Sequence, residues 1–217
     1  MRTYISPIGY NSTTVTRPVL SRGIDTGDTV VLLRPGTETD ENRAAEAIAD
    51  VERMLTEIEP EVDTAIEHVT HDDLETAVLE CSEVLRGARP DRIVNLGGGA
   101  RDVLLPFTIA ALTHADLVET AMFFSDIDGS VREWTLPNLL AAPSDGALDT
   151  LAAIQREGDA VSIPVLTDVK DVSKSTITRH VEELERAGAV ATERRGKTKH
   201  ASITLTGQLL LRGRGLD

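Results

Sequence analysis

Residues 92–101 have the sequence RIVNLGGGAR, in which a strand pattern gives way to a helix pattern across three glycines. The apolar, β-branched run from Arg92 to Leu96 predicts a short buried strand. Residues Arg101 to His114 have helical spacing, and Pro106 either kinks this helix or marks its first turn. A strand, a glycine-rich turn and a helix in this order are typical of a Rossmann-like α/β domain.

The same alternation of strand and helix patterns precedes this stretch. Three further strands are predicted at Thr3–Ser6, Thr29–Leu33 and Ala65–Val69, and three helices at Thr14–Gly23, Asp40–Ile58 and Asp72–Gly87. Strands that alternate with helices at this spacing are joined by right-handed crossovers, so we expect a mostly parallel sheet.

A hairpin is predicted to close the first domain. Val118–Ser125 and Ser130–Leu136 are strand-like runs, and the residues between them, Asp126-Ile127-Asp128-Gly129, end in an Asp-Gly turn. Because such a turn joins antiparallel strands, the last two strands of the sheet are expected to pair antiparallel.

The composition changes at residues 137–143, PNLLAAP, and we place the domain boundary there. The predicted division is a Rossmann-like domain at 1–137, a linker at 138–144 and a second domain at 145–217. In the second domain we predict helices at Ser144–Gly158, Ser162–Val169 and Ser173–Ala187, and a hairpin formed by Val190–Arg194 and Ala201–Leu205. Three helices followed by a hairpin indicate an α+β winged helix-turn-helix domain.

Charge is divided unevenly along the chain. With 36 acidic and 22 basic residues the net charge is −14, which argues against a protein coated in positive charge for nucleic-acid binding. Residues 1–143 carry this whole excess and contain no lysine, whereas residues 144–217 are neutral overall. An acidic, lysine-free part is typical of a chain that works in concentrated salt, where screening reduces self-repulsion. The sequence therefore predicts a halophilic source.

The remaining composition excludes several classes of protein. The one cysteine, Cys81, cannot form an internal disulfide, and its helical surroundings predict a core position. We find no apolar run of about 18 residues and expect no signal peptide. His68 and His71 have the spacing of metal ligands but no cysteine beside them, so we expect surface histidines and no metal site. The expected protein is cytoplasmic and has no membrane partner.

The third helix of the second domain has an apolar and a polar face. Ile177, Val181 and Leu184 are spaced for one buried stripe. The polar face is expected to contact a double-stranded DNA operator through Ser173, Lys174, Ser175, Thr178 and Arg179. The hairpin is expected to lie on the DNA backbone or in the minor groove through Arg194, Arg195, Lys197 and Lys199. The alternative is a winged helix that mediates only protein contacts and ends in an ordinary solvated turn.

Two loops of the first domain are candidates for ligand binding, because open α/β sheets bind ligands where strands end and helices begin. The first loop is Ser6–Thr14 and the second is Asn95–Arg101. Glycines in the second loop let backbone amides approach a phosphate, with Arg101 as counter-charge. Alternatively, the glycines only turn the strand into the helix, and Arg101 bridges to a nearby acid. Neither loop has the G-x-G-x-x-G pattern, so no nicotinamide cofactor is expected.

The order of these parts resembles that of CRISPR-associated transcription regulators with a CARF (CRISPR-associated Rossmann fold) domain, over almost the whole chain. Residues Val172–Val190 resemble the recognition segment of prokaryotic winged-helix regulators. The resemblance implies a homodimer whose central pocket binds a cyclic oligoadenylate, typically the tetra-adenylate, as effector, with no other cofactor. It also implies that the first loop contributes Ser6, Gly9, Tyr10, Asn11, Ser12 and Thr13, and the second loop Asn95, Gly97, Gly98, Gly99 and Arg101.

Three functions are open on this basis. The leading hypothesis is a dimeric, ligand-responsive transcription regulator of a CRISPR system. The second is a constitutive DNA-binding protein whose α/β domain serves only for dimerisation. The third is an enzyme that cleaves the cyclic oligoadenylate, but the loops contain no histidine or other base to activate Ser6, Ser12 or Thr13. No catalytic residue is therefore predicted.

Overall fold

The structure is a computed structural model that describes residues 1–37, 40–125, 127–158 and 160–216. The chain divides into two compact units, Met1–Leu136 and Pro137–Asp217. One residue of the predicted hairpin turn, Asp126, lies outside the described residues. None of the described helices combines the length and the apolar character needed to span a bilayer.

The first unit is a six-stranded sheet flanked by helices. Its strands are β1 (Thr3–Pro7), β2 (Thr29–Pro35), β3 (Asp63–Val69), β4 (Arg92–Asn95), β5 (Val118–Phe124) and β6 (Val131–Trp134), and its helices are α1 (Thr13–Arg22), α2 (Glu41–Ile58), α3 (Leu74–Gly87) and α4 (Arg101–Thr113). The strand order is β3-β2-β1-β4-β5-β6, in which β1 to β5 are parallel and β6 is antiparallel to β5. The predicted Rossmann-like fold, with its antiparallel last pair, is confirmed.

The direction of travel across the sheet reverses between β1 and β4. From β1 the chain moves outward to β2 and β3, and it then returns to place β4 on the other side of β1. Thr3 in β1 is therefore paired with both Thr29 and Arg92. Such a reversal leaves a crevice between the loops that follow the two central strands.

The central strands are buried on both faces. One face packs against α1 and α2 through residues that include Tyr4, Leu32, Ile93, Val15 and Val51. The other face packs against α3 and α4 through residues that include Ile5, Leu33, Val94, Leu85 and Phe107. Successive residues of these strands therefore point to opposite faces and pack in different hydrophobic cores, as expected for a sheet covered on both sides.

The second unit is a winged helix-turn-helix domain. Its elements are α5 (Asp145–Glu157), β7 (Val161–Ser162), α6 (Ile163–Lys170), α7 (Lys174–Arg186), β8 (Val190–Arg195), β9 (Thr198–Ile203) and α8 (Leu205–Gly213). The strands form an antiparallel sheet in the order β7-β9-β8. Its core is apolar and includes Leu151, Leu166, Ile177 and Leu184. The predicted α+β winged-helix fold is confirmed.

The hairpin of β8 and β9, which we call the wing, is tighter than predicted. We expected residues 195–199 to form its tip, but the strands continue until Arg195 pairs with Thr198. Only Gly196 and Lys197 form the turn, and Gly196 has a φ of 63°. Glycine with positive φ at the first central position is typical of a type II′ turn, whose twist matches that of the strands. Three residues of the predicted tip, Arg195, Thr198 and Lys199, therefore lie on the strands.

Two elements of this unit were not predicted. The second wing strand was expected to run to Leu205, but it ends at Ile203, and α8 begins at Leu205. Thr204 lies between the two elements, and its hydroxyl caps α8 by accepting the backbone N–H of Gly207 at 3.2 Å. The short strand β7, which pairs with β9, was also missed.

A buried carboxylate, Asp28, fixes the start of β1 to the start of β2. It accepts the backbone N–H of Arg2 at 2.7 Å, Nε of Arg2 at 2.9 Å and the backbone N–H of Asp25 at 3.0 Å. Burial by itself would raise the pKa of Asp28, but these donors hold the pKa below its usual value. At pH values above the unfolded-state pKa of about 3.9, the carboxylate therefore stabilises the fold in full. This stabilisation is lost as the pH falls through the lower folded-state pKa.

We expect Asp28→Asn to lower the free energy of unfolding near neutral pH by about 1.5–3 kcal/mol, the contribution of hydrogen bonds to a charged group. Denaturant unfolding at several pH values measures this, and the wild type should lose more stability than the variant on acidification. The control is Asp25→Asn, because Asp25 pairs with the same arginine but has a side chain that is 83% exposed. Equal losses in the two variants would contradict this assignment.

Candidate functional site

The two candidate loops meet at the carboxyl edge of the sheet. They follow the neighbouring strands β1 and β4 and lead into α1 and α4. A methyl group added to Gly9 would lie 3.5 Å from Cα of Gly99, and one added to Gly99 would lie 2.5 Å from Cβ of Pro7. The structure therefore brings the two loops into contact at the crevice of the sheet.

Two predicted ligand residues, Ser6 and Asn95, lie beneath the loops. Their exposed fractions are 1% and 4%. Nδ2 of Asn95 donates to Oγ of Ser6 at 2.8 Å and to the carbonyl of Thr14 at 2.7 Å, and Oδ1 accepts the backbone N–H of Gly97 at 3.1 Å. These side chains are occupied in holding the loops together. Their polar atoms are turned inward in this structure, and their contact with a ligand stays a prediction.

Close packing explains the glycine run of the second loop. A methyl group on Gly97 would clash with the backbone of Phe124, and one on Gly98 would lie 2.5 Å from Oγ1 of Thr14. Gly99 has a φ of 85°, which side chains disfavour. The run is therefore required by the fold itself, and the glycines alone do not indicate a ligand.

Unused backbone donors are the feature of this loop that does favour a ligand. Within the described part of the chain, the N–H groups of Gly98, Gly99 and Ala100 donate to no other group. Ala100 is the N-cap residue of α4 and has no side chain that could cap the helix. Free amides at a helix N-terminus attract negative charge. The loop therefore offers donors for an anion, and anion binding there stays a prediction.

A cleft of about 500 Å³ opens beside the two loops. It is lined by Ile8, Gly9, Tyr10, Pro35, Thr37, His71, Gly99, Ala100 and Asp102. Of the predicted ligand residues, only Gly9, Tyr10 and Gly99 line it. Asn11 and Ser12 instead precede α1, which begins at Thr13, and Oδ1 of Asn11 accepts the backbone N–H of Thr13 at 3.0 Å.

Arg101 is exposed and lines a neighbouring groove of about 530 Å³. The other residues of this groove are His71, Asp72, Leu74, Asp102, Leu104, Leu105, Pro106 and Thr108. Leu74 and Leu105 are more than half exposed. The groove is thus an apolar surface that adjoins the cleft, since His71 and Asp102 line both.

Sequence reasoning did not assign three residues to this region, and one of them, His71, was expected to be an ordinary surface histidine. Thr37 and His71 follow β2 and β3, and their Oγ1 and Nε2 atoms lie 3.5 Å apart. Arg43, in the first turn of α2, places its guanidinium 4.7 Å from the centre of the Tyr10 ring. Parallel strands end at one edge of a sheet, so an inspection of all the strand ends would have found the first two.

The polar face of α7 matches the prediction from spacing. Ile177, Val181 and Leu184 are fully buried. Lys174, Ser175 and Arg179 are exposed, together with the N-cap Ser173, and Thr178 is half-buried. Oγ of Ser173 caps the helix by accepting the backbone N–H of Thr176 at 3.2 Å. The predicted DNA-contacting residues of this helix therefore share one accessible surface.

The predicted wing residues differ in their partners. Nζ of Lys199 lies 2.7 Å from Glu185 of α7, and Arg195 pairs with Glu193. Glu185 also accepts the hydroxyl of Thr192, so one carboxylate ties both wing strands to the helix. The hydrogen bond from Lys199, and to a lesser extent that from Thr192, lowers the pKa of Glu185. Arg194 and Lys197 form no ion pair within the residues that the structure describes.

A comparison with protein families bears on the first unit. Residues 2–129, more than half of the chain, match the family described as the Csa3 CRISPR-associated Rossmann-like domain. The chain belongs to this family. No curated protein matches the chain.

Solved structures give weaker matches to this Csa3-family chain. Can2 from Sulfobacillus thermosulfidooxidans, solved with cyclic tetra-adenylate, is 12% identical with a TM-score of 0.47, and the match covers 100% of this chain and 64% of Can2. Csm6 from Enterococcus italicus, bound to cyclic hexa-2'-fluoro-hexa-dAMP, is 15% identical with a TM-score of 0.41, covering 58% of this chain and 34% of Csm6. HlyU from Vibrio cholerae N16961 is 24% identical with a TM-score of 0.29, covering 34% of this chain and 84% of HlyU. At these TM-scores the matches assign no ligand or partner.

The different partners of the wing lysines of the Csa3-family chain predict different contributions to the DNA binding expected from the sequence. We expect Lys197→Ala to weaken binding to any duplex and to lower the salt slope by about one unit, because an unpaired lysine is available for a phosphate. Lys199→Ala should leave the slope unchanged, because Glu185 already neutralises this lysine. Fluorescence anisotropy with a duplex of arbitrary sequence over a range of salt concentrations measures both.

The control for this pair is Arg156→Ala, an exposed arginine at the end of α5. It should change neither affinity nor slope. A slope that falls for Lys199→Ala and not for Lys197→Ala would show that the ion pair with Glu185 opens on DNA.

Proposed function

We propose that the chain is a ligand-responsive, DNA-binding transcription regulator of a CRISPR-Cas system, whose effector is a cyclic oligoadenylate, with cyclic tetra-adenylate as the first candidate. The observation that carries the proposal is the meeting of two loops, with free backbone amides, at the central crevice of a Csa3-family domain. A winged-helix domain with an exposed basic helix face follows in the same chain.

The ligand would be held through its phosphates. The amides of Gly98, Gly99 and Ala100 supply donors at the start of α4, and Arg101 supplies charge. Backbone donors and an arginine are the usual recognition elements for phosphate groups. The cleft beside the loops has apolar walls, which include Ile8 and Pro35, and it can receive a base.

The proposal includes a homodimer that shares one ligand. A cyclic ring of phosphates has rotational symmetry, and a ring on a two-fold axis would meet the same loop from both subunits. The apolar groove supports a second copy as its occupant, because it adjoins the cleft through His71 and Asp102. A copy seated there would cover the exposed Leu74 and Leu105.

The proposed protein is a receptor, although one observation favours an enzyme. The loops contain no histidine, but the fold brings His71 to the cleft beside Thr37. Cleavage of the ring would need a base in reach of a ribose 2′-hydroxyl, and an exposed histidine can supply it. Analysis of the nucleotide after incubation separates the two functions, because an enzyme releases linear products and a receptor returns the ring intact.

Titration of cyclic tetra-adenylate by calorimetry tests the proposal, with one ring expected for two chains. We expect Arg101→Gln to weaken binding about tenfold or more, because a charged hydrogen bond to phosphate is lost. DNA binding without ligand should be unchanged. The control is Arg86→Gln, an exposed arginine that lines neither the cleft nor the groove. Absence of binding to the wild type would leave a constitutive DNA-binding protein.

We further expect Leu105→Glu to convert the dimer into a monomer, because a carboxylate in the groove would be desolvated on association. Light scattering after gel filtration measures the mass. Leu79→Glu is the control, since Leu79 is an exposed leucine of α3 outside the groove. A dimer that survives Leu105→Glu would place the interface elsewhere.

A further inference from the structure

An arginine at the rim of the cleft covers one face of an aromatic ring. The Arg43 guanidinium lies 4.7 Å from the centre of the Tyr10 ring, and Tyr10 lines the cleft with 44% of its surface exposed. A guanidinium that stacks on a ring keeps its N–H groups available at its edges. The pair therefore presents a cation beside the opening of the cleft.

Arg43 is not among the arginines of the acidic first unit that form ion pairs within the described part of the chain. Between described residues, Arg2, Arg22, Arg53 and Arg132 pair with nearby carboxylates. Within the described residues the Arg43 guanidinium has no carboxylate within 4.0 Å. The nearest acid in sequence, Asp40, uses Oδ1 to accept the backbone N–H of Arg43 at 3.2 Å. The charge of this arginine is thus left for another partner.

A cation at the rim would offset the negative charge of the residues that line the cleft. Among the described residues that line it, the acidic side chain is that of Asp102, and no lysine or arginine lines it. Arg101 lines the neighbouring groove and not the cleft itself. An anion in the cleft would therefore meet a carboxylate, and it needs a cation at the rim to offset the repulsion.

We infer that Arg43 is a second cationic contact for the ligand, preoriented by stacking on Tyr10. The inference rests on the proposed function and adds α2 to the two loops as a part of the site. Arg43 would donate to a phosphate oxygen, and Tyr10 would act as a positioning residue that lowers the entropy lost when the guanidinium is fixed.

The test is calorimetric titration of cyclic tetra-adenylate into Arg43→Gln, at low and at physiological salt. We expect the dissociation constant to rise about tenfold, and the ratio of variant to wild type to shrink as salt increases, because salt screens the lost attraction. Arg53→Gln is the matched control on the same helix, since Arg53 is exposed and paired with Asp50. Thermal unfolding of each variant verifies that it is folded.

Two variants of the ring test its positioning role. Tyr10→Phe retains the aromatic face and should bind like the wild type, whereas Tyr10→Ala should weaken binding as Arg43→Gln does. In Arg43→Gln, removal of the ring should then have no further effect, because the two residues act together.

Three outcomes separate this inference from the proposed function. Wild-type binding with unchanged affinity in Arg43→Gln would overturn the inference and leave the proposed function intact. Loss of affinity that is independent of salt would show that Arg43 acts through structure and not through charge. No binding to the wild type would overturn both.

Discussion

The carboxamide of Asn95 joins the three elements on which the candidate site depends. It donates to Ser6 at the end of β1 and to the Thr14 carbonyl in α1, and it accepts the amide of Gly97 in the second loop. A buried amide that lost one of these partners would carry a cost of about 1–3 kcal/mol, so the three contacts constrain one another. Because β1 and β4 flank the reversal in the sheet, this one side chain links the two loops.

The packing above Asn95 separates residues that build the crevice from residues that can recognise a ligand. Glycines at 97 and 98 are explained by the backbone of Phe124 and by Thr14, with no need of a ligand. The backbone N–H groups of residues 98–100, before α4, donate to no other described group. The side chains of Arg43 and Arg101 are exposed. Under the proposed function, chemical recognition of the ligand would therefore be carried by groups that have no ion pair within the described residues.

This difference explains which parts of the fold and of the candidate site could be predicted from the sequence. Alternating strand and helix patterns predicted the Rossmann-like sheet, and the spacing of Ile177, Val181 and Leu184 predicted the buried face of α7. Thr37, His71 and Arg43 were missed, because they are distant in sequence from both loops. They become neighbours of the loops only through the order β3-β2-β1, which local patterns do not determine.

In the second unit, too, contacts between different elements could not be predicted from local sequence patterns. The wing was predicted as a hairpin, but its register was not, because a run of basic residues carries no alternation from which to read a pairing. Gly196 decides the register through its positive φ. The partner of Lys199 was likewise not predicted, since Glu185 lies on another element.

Under the proposed function, a ligand held by one unit has to change the DNA affinity of the other. The cleft is lined by residues of the first unit alone, and the basic helix and wing belong to the second. A ligand can shift such an equilibrium only by the difference in its affinity for two arrangements of the dimer, typically about 1–3 kcal/mol.

That difference has to arise in contacts that change when two subunits change their spacing. Asn95 and the glycines are held by packing within one chain, so they contribute the same interactions in either arrangement. Arg101 and Leu105 lie on the groove proposed for the second subunit, and their surroundings depend on how closely that subunit approaches. The residues that shape the crevice would therefore set whether the ligand binds, and the residues of the groove would set what its binding does.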